Sequence, residues 1–331
     1  MLNAAVIGLG WWGTTISNSL KGSDKIRIIV GVDIDIEHRK KFEDKNKVVF
    51  YEHIDGALND KKVDAIIIAT PHALHEEMFL AATAAGKQVF CEKPFALTSK
   101  GAHRMMAAAK TKGLIIGIGH ERRYEGAFEE MKRMVDDGEL GKLLHLEFNA
   151  SYNNMVKIPA TGWRKDPLQA PAGTMTALGI HQTDFMQTLA GPVAKINAQL
   201  KHRSDDFPNE DILTVQMLFK SGITGVLTSL ATTPFYQRMS VFGDRGWVEN
   251  REISNVDMPD PAILTWRGMD EEIHTRSYKM IDTVKQNFES WADAVRGIGT
   301  YRFDHSQILH NVQILETIVR SINSGVTEQV A

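Results

Sequence analysis

The chain has 331 residues, 43% hydrophobic and 24% charged, with a formal net charge of −3. That length exceeds one small core and points to two domains, while the near-neutral balance provides no basic face for nucleic acid or an anionic membrane. Cys91 is the single cysteine, which excludes an intramolecular disulfide and a Cys-rich metal site. No apolar run reaches membrane-spanning length, and the first residues enter a strand with no room for a signal peptide, so a cytoplasmic protein is expected.

Ala4–Gly8 reads as a buried strand that runs into Gly8-Leu9-Gly10-Trp11-Trp12-Gly13, a G-x-G-x-x-G turn. In a βαβ unit the first glycine makes the tight turn and the second lets backbone approach a pyrophosphate. The third lets the helix pack on the strand, and the helix N-terminus supplies N–H groups and a positive dipole end. Such a turn alone is weak, because glycine loops that bind nothing are common. Here a second apolar run, Ile26–Asp33, ends in a carboxylate twenty residues after Gly13, placed to bond adenosine ribose hydroxyls. A 2′-phosphate about 4 Å from Asp33 would meet a repulsion of order 4 kcal/mol at an effective dielectric near 20, which favours NAD. Arg39 and Lys40 follow; they read as part of a solvated helix face but leave NADP open.

Further short apolar runs at Val48–Phe50, Asp64–Ala69, Lys87–Cys91 and Ile115–Gly119 read as parallel strands. Amphipathic stretches at Ala73–Ala85 and Ser99–Lys112 separate them, with Gly86 and Gly113 as C-caps. This alternation predicts an α/β fold with a doubly wound parallel sheet. The period then changes to two: Leu144, Leu146, Phe148, Ala150 and Tyr152 alternate with polar residues. Ile196/Ala198/Leu200 and Leu213/Val215/Met217/Phe219 repeat that pattern, and Ile223–Leu230, Met239–Phe242 and Trp247–Asn250 are further strand-like runs. A second, largely antiparallel sheet with one covered face is expected. Two helical stripes close the chain, Val284/Phe288/Trp291/Val295 and Ile308/Val312/Leu315/Val319/Ile322, the latter capped by Asp304 and ended near Gly325. The expected domains are residues 1–122 and 123–331, although the closing helices could touch the first.

The fifth strand ends in Cys91-Glu92-Lys93-Pro94. Ligands of a doubly wound sheet bind outside the carboxyl ends of its strands, so Lys93 is placed toward the nicotinamide half of a dinucleotide. Its ammonium there can stabilise negative charge developing on a reacting oxygen; the plainer reading is a surface lysine paired with Glu92. A third cluster is Trp163-Arg164 followed by Ala172–Asp184, small residues opening a helix. His181 and Asp184, three apart, share a helical face, where the carboxylate can orient an imidazole suited to general-base work. A lone helical histidine is more often a packed core residue. His72 and His75 are also three apart, but no nearby ligand set completes a metal shell, and no metal is expected.

Together these segments resemble the Gfo/Idh/MocA oxidoreductase family. The resemblance covers essentially the whole chain and rests on Gly8-x-Gly10-x-x-Gly13, Ala69-Thr70-Pro71 with His75, Glu92-Lys93-Pro94, Arg122-Arg123-Tyr124, Trp163-Arg164 and Gly179-x-His181-x-x-Asp184. It implies an N-terminal Rossmann domain and a C-terminal α/β domain whose open sheet mediates homodimers or homotetramers. The activity it implies is reversible oxidation of a secondary alcohol on a sugar, polyol or related small molecule with NAD(H) or NADP(H). By matching motif, Lys93 resembles the family's active-site lysine and His181 its catalytic histidine. Thr70 and Pro71 look like the loop beside the nicotinamide, with His75, Trp11, Trp12 and Glu92 as further cofactor-side candidates. Glu121, Arg122, Trp163, Arg164, Asp184 and Tyr236 are weaker candidates for the substrate pocket. Two departures stand out: His72 replaces a frequent asparagine, and Ala177 replaces the aspartate that many polyol-oxidising members carry four residues before the histidine. The second leaves room for a dehydrogenase of cyclic, aromatic-derived dihydrodiols, or for a non-catalytic dinucleotide-sensing regulator.

Overall fold

The computed structural model describes residues 1–43, 47–159, 162–205, 210–252 and 261–331. Contacts divide the chain into two units. One comprises Met1–Glu121 with Asp282–Leu309, the other Arg122–Ile281 with His310–Ala331.

The first unit alternates strand and helix: β1 (Leu2–Ile7), α1 (Trp11–Ser19), β2 (Ile26–Val32), α2 (Ile36–Glu43), β3 (Val49–Tyr51), α3 (Ile54–Asn59), β4 (Ala65–Ile68), α4 (His75–Ala84), β5 (Gln88–Cys91), α5 (Ser99–Thr111) and β6 (Ile116–Ile118). All six strands pair parallel in the order β3-β2-β1-β4-β5-β6. Parallel strands covered on both faces read as continuous apolar runs, and Ala65-Ile66-Ile67-Ile68 is wholly buried. The order reverses between β1 and β4, so the connections after them leave toward opposite sides of the sheet, the switch point at which ligands of such sheets bind and where the glycine turn lies.

The second unit starts with α6 (Gly126–Asp136), β7 (Leu143–Ser151) and α7 (Ile180–Ala190). It continues as β8 (Val193–Lys201), β9 (Ile212–Phe219), β10 (Thr224–Leu230), β11 (Tyr236–Gly243), β12 (Trp247–Glu252), β13 (Ala262–Arg267) and β14 (Ile273–Tyr278). Two helices follow, α8 (Thr283–Val295) and α9 (His305–Ser324), and then the short β15 (Glu328–Gln329). Nine strands form one sheet, β14-β13-β12-β11-β7-β10-β9-β8-β15, antiparallel except for the β7–β10 pair. Leu146, Phe148 and Ala150 of β7 and Met239 and Val241 of β11 are buried. The opposite face carries charge: Arg238 reaches Glu147 at 3.0 Å and Glu249 at 3.8 Å, and Arg251 reaches Glu249 at 3.2 Å. One covered and one polar face is the outcome of the period-two pattern.

Two features bear on the sequence reading. First, β13 and β14 were not anticipated: in β13 the exposed Ile263 sits between the buried Ala262 and Leu264, which blurs the apolar alternation, and the edge strand β14 is polar apart from Ile273 and Tyr278. Second, Asp282–Leu309 groups with the first unit rather than with residues 123–281, in line with the allowance that the closing helices could touch the first domain. The cause is the apolar stripe of α8. Phe288 stacks on Phe90 with ring centroids 3.8 Å apart, and Trp291 meets Phe90 edge-on at 5.4 Å. Asn287 Nδ2 donates to the Ile118 carbonyl at 2.8 Å and Trp291 Nε1 to that of Ile115 at 3.0 Å, tying α8 to β6. No helix among the described residues is long and apolar enough to cross a membrane.

Candidate active site

Each glycine of the turn has its own physical requirement. Gly8 has φ +92°, and a Cβ there would lie 2.7 Å from the Ala69 carbonyl oxygen at the end of β4. At Gly13 a Cβ would fall 1.9 Å from the Gly8 carbonyl oxygen, so its hydrogen is what lets α1 close on β1. Gly10 is different: a Cβ there would meet nothing within 4 Å. It stands as N-cap of α1 without a side chain to cap the first-turn N–H groups. Open space over uncapped amides at a helix start is what a pyrophosphate requires, so the residues present fit a dinucleotide. Trp11 is 60% exposed and packs at 5.3 Å against Trp12, on the outer side of that turn.

Asp33 follows β2 and is joined to the glycine turn. Its Oδ2 accepts from the Leu9 amide at 2.7 Å and lies 3.1 Å from His38 Nδ1, while Oδ1 accepts from the Asp35 amide at 2.9 Å. Arg39 and Lys40 are engaged elsewhere, Arg39 with Glu52 at 3.9 Å and Lys40 with Glu37 at 3.2 Å, in solvated pairs worth little to stability.

Across the switch point, Thr70 and Pro71 follow β4, and Glu92 and Lys93 follow β5. The two loops are tied by His75. Its Nδ1 lies 2.8 Å from the Pro94 carbonyl oxygen and its Nε2 3.1 Å from that of Thr70. Burial pushes the His75 pKa down, and the nearby Lys93 charge adds to this. A neutral ring has one N–H for two carbonyls, and the shorter contact identifies Nδ1 as the donor. His75, a candidate for the cofactor side, is fully buried and bridges the two loops. Glu92 is 5% exposed, its carboxylate lying where a Cβ on Gly119 would come within 2.2 Å. Lys93 is half-buried, and its amide donates to Glu92 Oε2 at 3.3 Å.

In the second unit, His181 stands in the first turn of α7 and is 6% exposed. A single π-turn, Met175–Gly179, precedes that helix, entered through Ala172 at φ 60° and Gly173 at φ 61°. A non-glycine residue in that region costs about 1–3 kcal/mol and persists only where packing over-determines it. Here Thr174 Oγ1 bonds Ser229 Oγ at 2.5 Å, Asn311 Nδ2 donates to the Ile180 carbonyl at 3.0 Å, and Thr183 Oγ1 bonds Asn311 Oδ1 at 2.6 Å. Asp184, expected to orient His181, has both oxygens on Arg123: Nε to Oδ2 at 2.6 Å and an NH2 to Oδ1 at 2.5 Å. Sequence reasoning named Arg123 only within the Arg122-Arg123-Tyr124 motif and gave it no site role, since nothing local signals a bond across 61 residues.

Glu121 is 5% exposed at the end of the first unit. Arg122 bonds Glu125 at 2.6 Å and Gln237 at 2.7 Å. Arg164 lies 4.2 Å over the Trp163 ring. Tyr236, 39% exposed, begins β11 with Arg251 5.6 Å from its ring. Ala177, half-buried, packs against the buried Ala231, as do Val156 and Ile158.

A 3-2-1-4-5-6 parallel sheet with an open glycine cradle and a tethered acid at β2 defines a dinucleotide-binding Rossmann unit, here joined to a unit built on an open nine-stranded sheet. The chain belongs to the Gfo/Idh/MocA family. Residues 2–120 match the family model described as an oxidoreductase family with an NAD-binding Rossmann fold, and residues 128–249 match the GFO/IDH/MocA C-terminal domain. Inositol 2-dehydrogenase 2 of Saccharopolyspora erythraea is 27% identical over 88% of this chain and 85% of its own length. A 2,7-anhydro-N-acetylneuraminate hydratase of Escherichia coli is 28% identical over 67% of this chain, and the match spans 60% of that relative's length. Among solved structures, aldose-aldose oxidoreductase from Caulobacter crescentus superposes with a TM-score of 0.88 at 24% identity, covering 99% of each chain. A levoglucosan dehydrogenase crystallised with NADH gives 0.85 at 18% identity, covering 100% of this chain and 99% of that one.

Proposed function

We propose that the protein is an NAD-dependent dehydrogenase that reversibly oxidises a secondary alcohol of a sugar, polyol or related cyclic compound. The observation that carries the reading is the open space at Gly10 beside uncapped α1 amides, with Asp33 held to the same turn. Residues Gly8, Gly10, Gly13, Asp33, Thr70 and Pro71 hold the dinucleotide, which when bound supplies the hydride acceptor. His181 takes the hydroxyl proton as general base. Lys93 donates a hydrogen bond to the same oxygen and steadies the charge developing there. Loss of the O–H proton and of the C–H hydride leaves a carbonyl; reduction runs the same steps backward. The strut at His75 supports this assignment of Lys93, because it fixes the turn that carries the ammonium against the loop beside the nicotinamide. A homodimer or homotetramer formed through the uncovered sheet face belongs to the same reading.

Ala177 favours a second substrate class. Its apolar surroundings suit a cyclic dihydrodiol, whose carbon ring asks less of polar partners than a polyol does. The test is reduced-nicotinamide absorbance across sugars, inositols, sugar acids and cyclic dihydrodiols with NAD⁺ supplied. Turnover on one class names the substrate type. Silence from folded protein that binds NADH favours a dinucleotide-sensing regulator. On the turned-over substrate, Lys93→Ala lowers kcat by about 10²–10⁴ while NADH binding survives; unchanged kcat removes Lys93 from the mechanism.

A further inference from the structure

We propose that His38 is a positioning residue for the adenosine-ribose acid and that its charge sets how strongly the site rejects a 2′-phosphate. The inference rests on the dinucleotide reading of the glycine turn and concerns the other end of that site. An ionised carboxylate offers about four acceptor positions. Three positions of Asp33 are taken within the protein: Leu9 N–H and His38 Nδ1 on Oδ2, and Asp35 N–H on Oδ1. One remains for a ribose hydroxyl, and the acid is already oriented before any ligand arrives. The imidazole contributing one of those contacts is itself 44% exposed, against 11% for Asp33, so its other edge reaches solvent beside the acid.

The chemistry of that edge depends on charge. With Nδ1–H donated to Asp33, a neutral ring presents Nε2 as a bare lone pair, able to accept from a ribose hydroxyl and repelled by a phosphate oxygen. Once protonated, Nε2–H becomes a donor and the Asp33–His38 pair is neutral overall, so a 2′-phosphate no longer faces net negative charge. The neighbouring charges are few. Asp33 and Asp35 lie in the β2–α2 connection, Asp35 4.0 Å from the ring. Glu37 and Lys41 lie on α2, Glu37 in its pair with Lys40. Arg39 and Glu52 pair with each other at the edge of β3. Of these the ring contacts only the two aspartates among the described residues. The ring state of His38, neutral or cationic, therefore decides the net charge beside Asp33.

The experiment is tryptophan-quenching titration of the purified chain with NADH and with NADPH between pH 5.5 and 8.5, giving the ratio of the two dissociation constants. In wild type the preference for NADH narrows toward acid. Protonation of the phosphate itself contributes to that narrowing, so His38→Gln carries the comparison, since it keeps a donor to Asp33 without a titrating charge. The wild-type ratio should fall roughly tenfold further than the variant's, the size of one charge contact in a half-exposed site. His38→Arg, a permanent cation, should bind NADPH at least about tenfold better than wild type at pH 8 and show the shallow profile of His38→Gln. A residue that merely held the fold would weaken both nucleotides alike and leave the ratio unmoved. Equal pH profiles in wild type and His38→Gln, with NADH still bound, overturn the proposal and leave the dinucleotide site standing. Wild type that binds neither nucleotide overturns both.

Discussion

Replacing Gly10 and Gly13 by alanine, one at a time, separates binding from folding. At Gly13 the new Cβ would lie 1.9 Å from the Gly8 carbonyl oxygen and 3.0 Å from its carbon. Both are backbone atoms of the turn itself, so no side chain can swing aside, and α1 must back off β1 by roughly 1 Å to restore van der Waals separation. Overpacking of this kind costs about 1–3 kcal/mol, and a clash with main chain belongs at the upper end. At Gly10 the backbone has φ −62°, which alanine adopts freely, and the Cβ meets nothing within 4 Å. The fold therefore loses little: the stiffer unfolded chain adds roughly 0.4–1 kcal/mol, offset by a cost of similar size for alanine in place of glycine at an N-cap. The methyl, however, fills the space by which a pyrophosphate reaches the α1 amides. Urea unfolding and NADH fluorescence titration read the two effects separately. Gly13→Ala should lose about 3 kcal/mol. Gly10→Ala should unfold within about 1 kcal/mol of wild type yet bind NADH at least tenfold more weakly, about 1.4 kcal/mol. Wild-type affinity in Gly10→Ala would refute the cradle, and equal stability of the two variants would refute the packing role given to Gly13.

Two further outcomes follow from buried groups. Arg123 and Asp184 are 5% and 2% exposed, so Asp184→Asn leaves a buried guanidinium without its countercharge; a loss of about 3–5 kcal/mol is expected in urea unfolding, and a loss below about 1 kcal/mol would mean the pair is hydrated. Burial holds His75 and His310 below the usual histidine range, and the Val193 amide donates to His310 Nε2 at 2.8 Å, a bond that needs that nitrogen unprotonated. The unfolded chain binds more protons than the native one below about pH 6.5, so stability is full above that value and falls as pH drops through it toward the native pKa values. A melting midpoint that stays flat from pH 7.5 to 5 would contradict this.

What the sequence could show, and what it could not, divides along the range of the interaction. The glycine turn, the apolar β4 and the alternation in β7 are local patterns, and each became the element it suggested. The Val284/Phe288/Trp291 stripe announced a helix with a buried face, but not that Phe90, nearly two hundred residues earlier, would be what it covers. The same holds for Asp184: its spacing from His181 is visible in the chain, whereas Arg123, which holds both its oxygens, is 61 residues away. His38 escaped notice because a histidine in a charged helix start resembles any solvated residue until the 3.1 Å contact to Asp33 is seen.

Ala177 shows most clearly how distance changes the reading of a motif. In the sequence it is a missing carboxylate, which suggests loss of a polar contact to substrate. In the fold it belongs to a π-turn and packs against Ala231 with Val156 and Ile158, segments drawn from three separate stretches of chain. Ala177 is half-buried, so a carboxylate at this position would lose part of its hydration against those apolar neighbours, a cost that alanine does not carry.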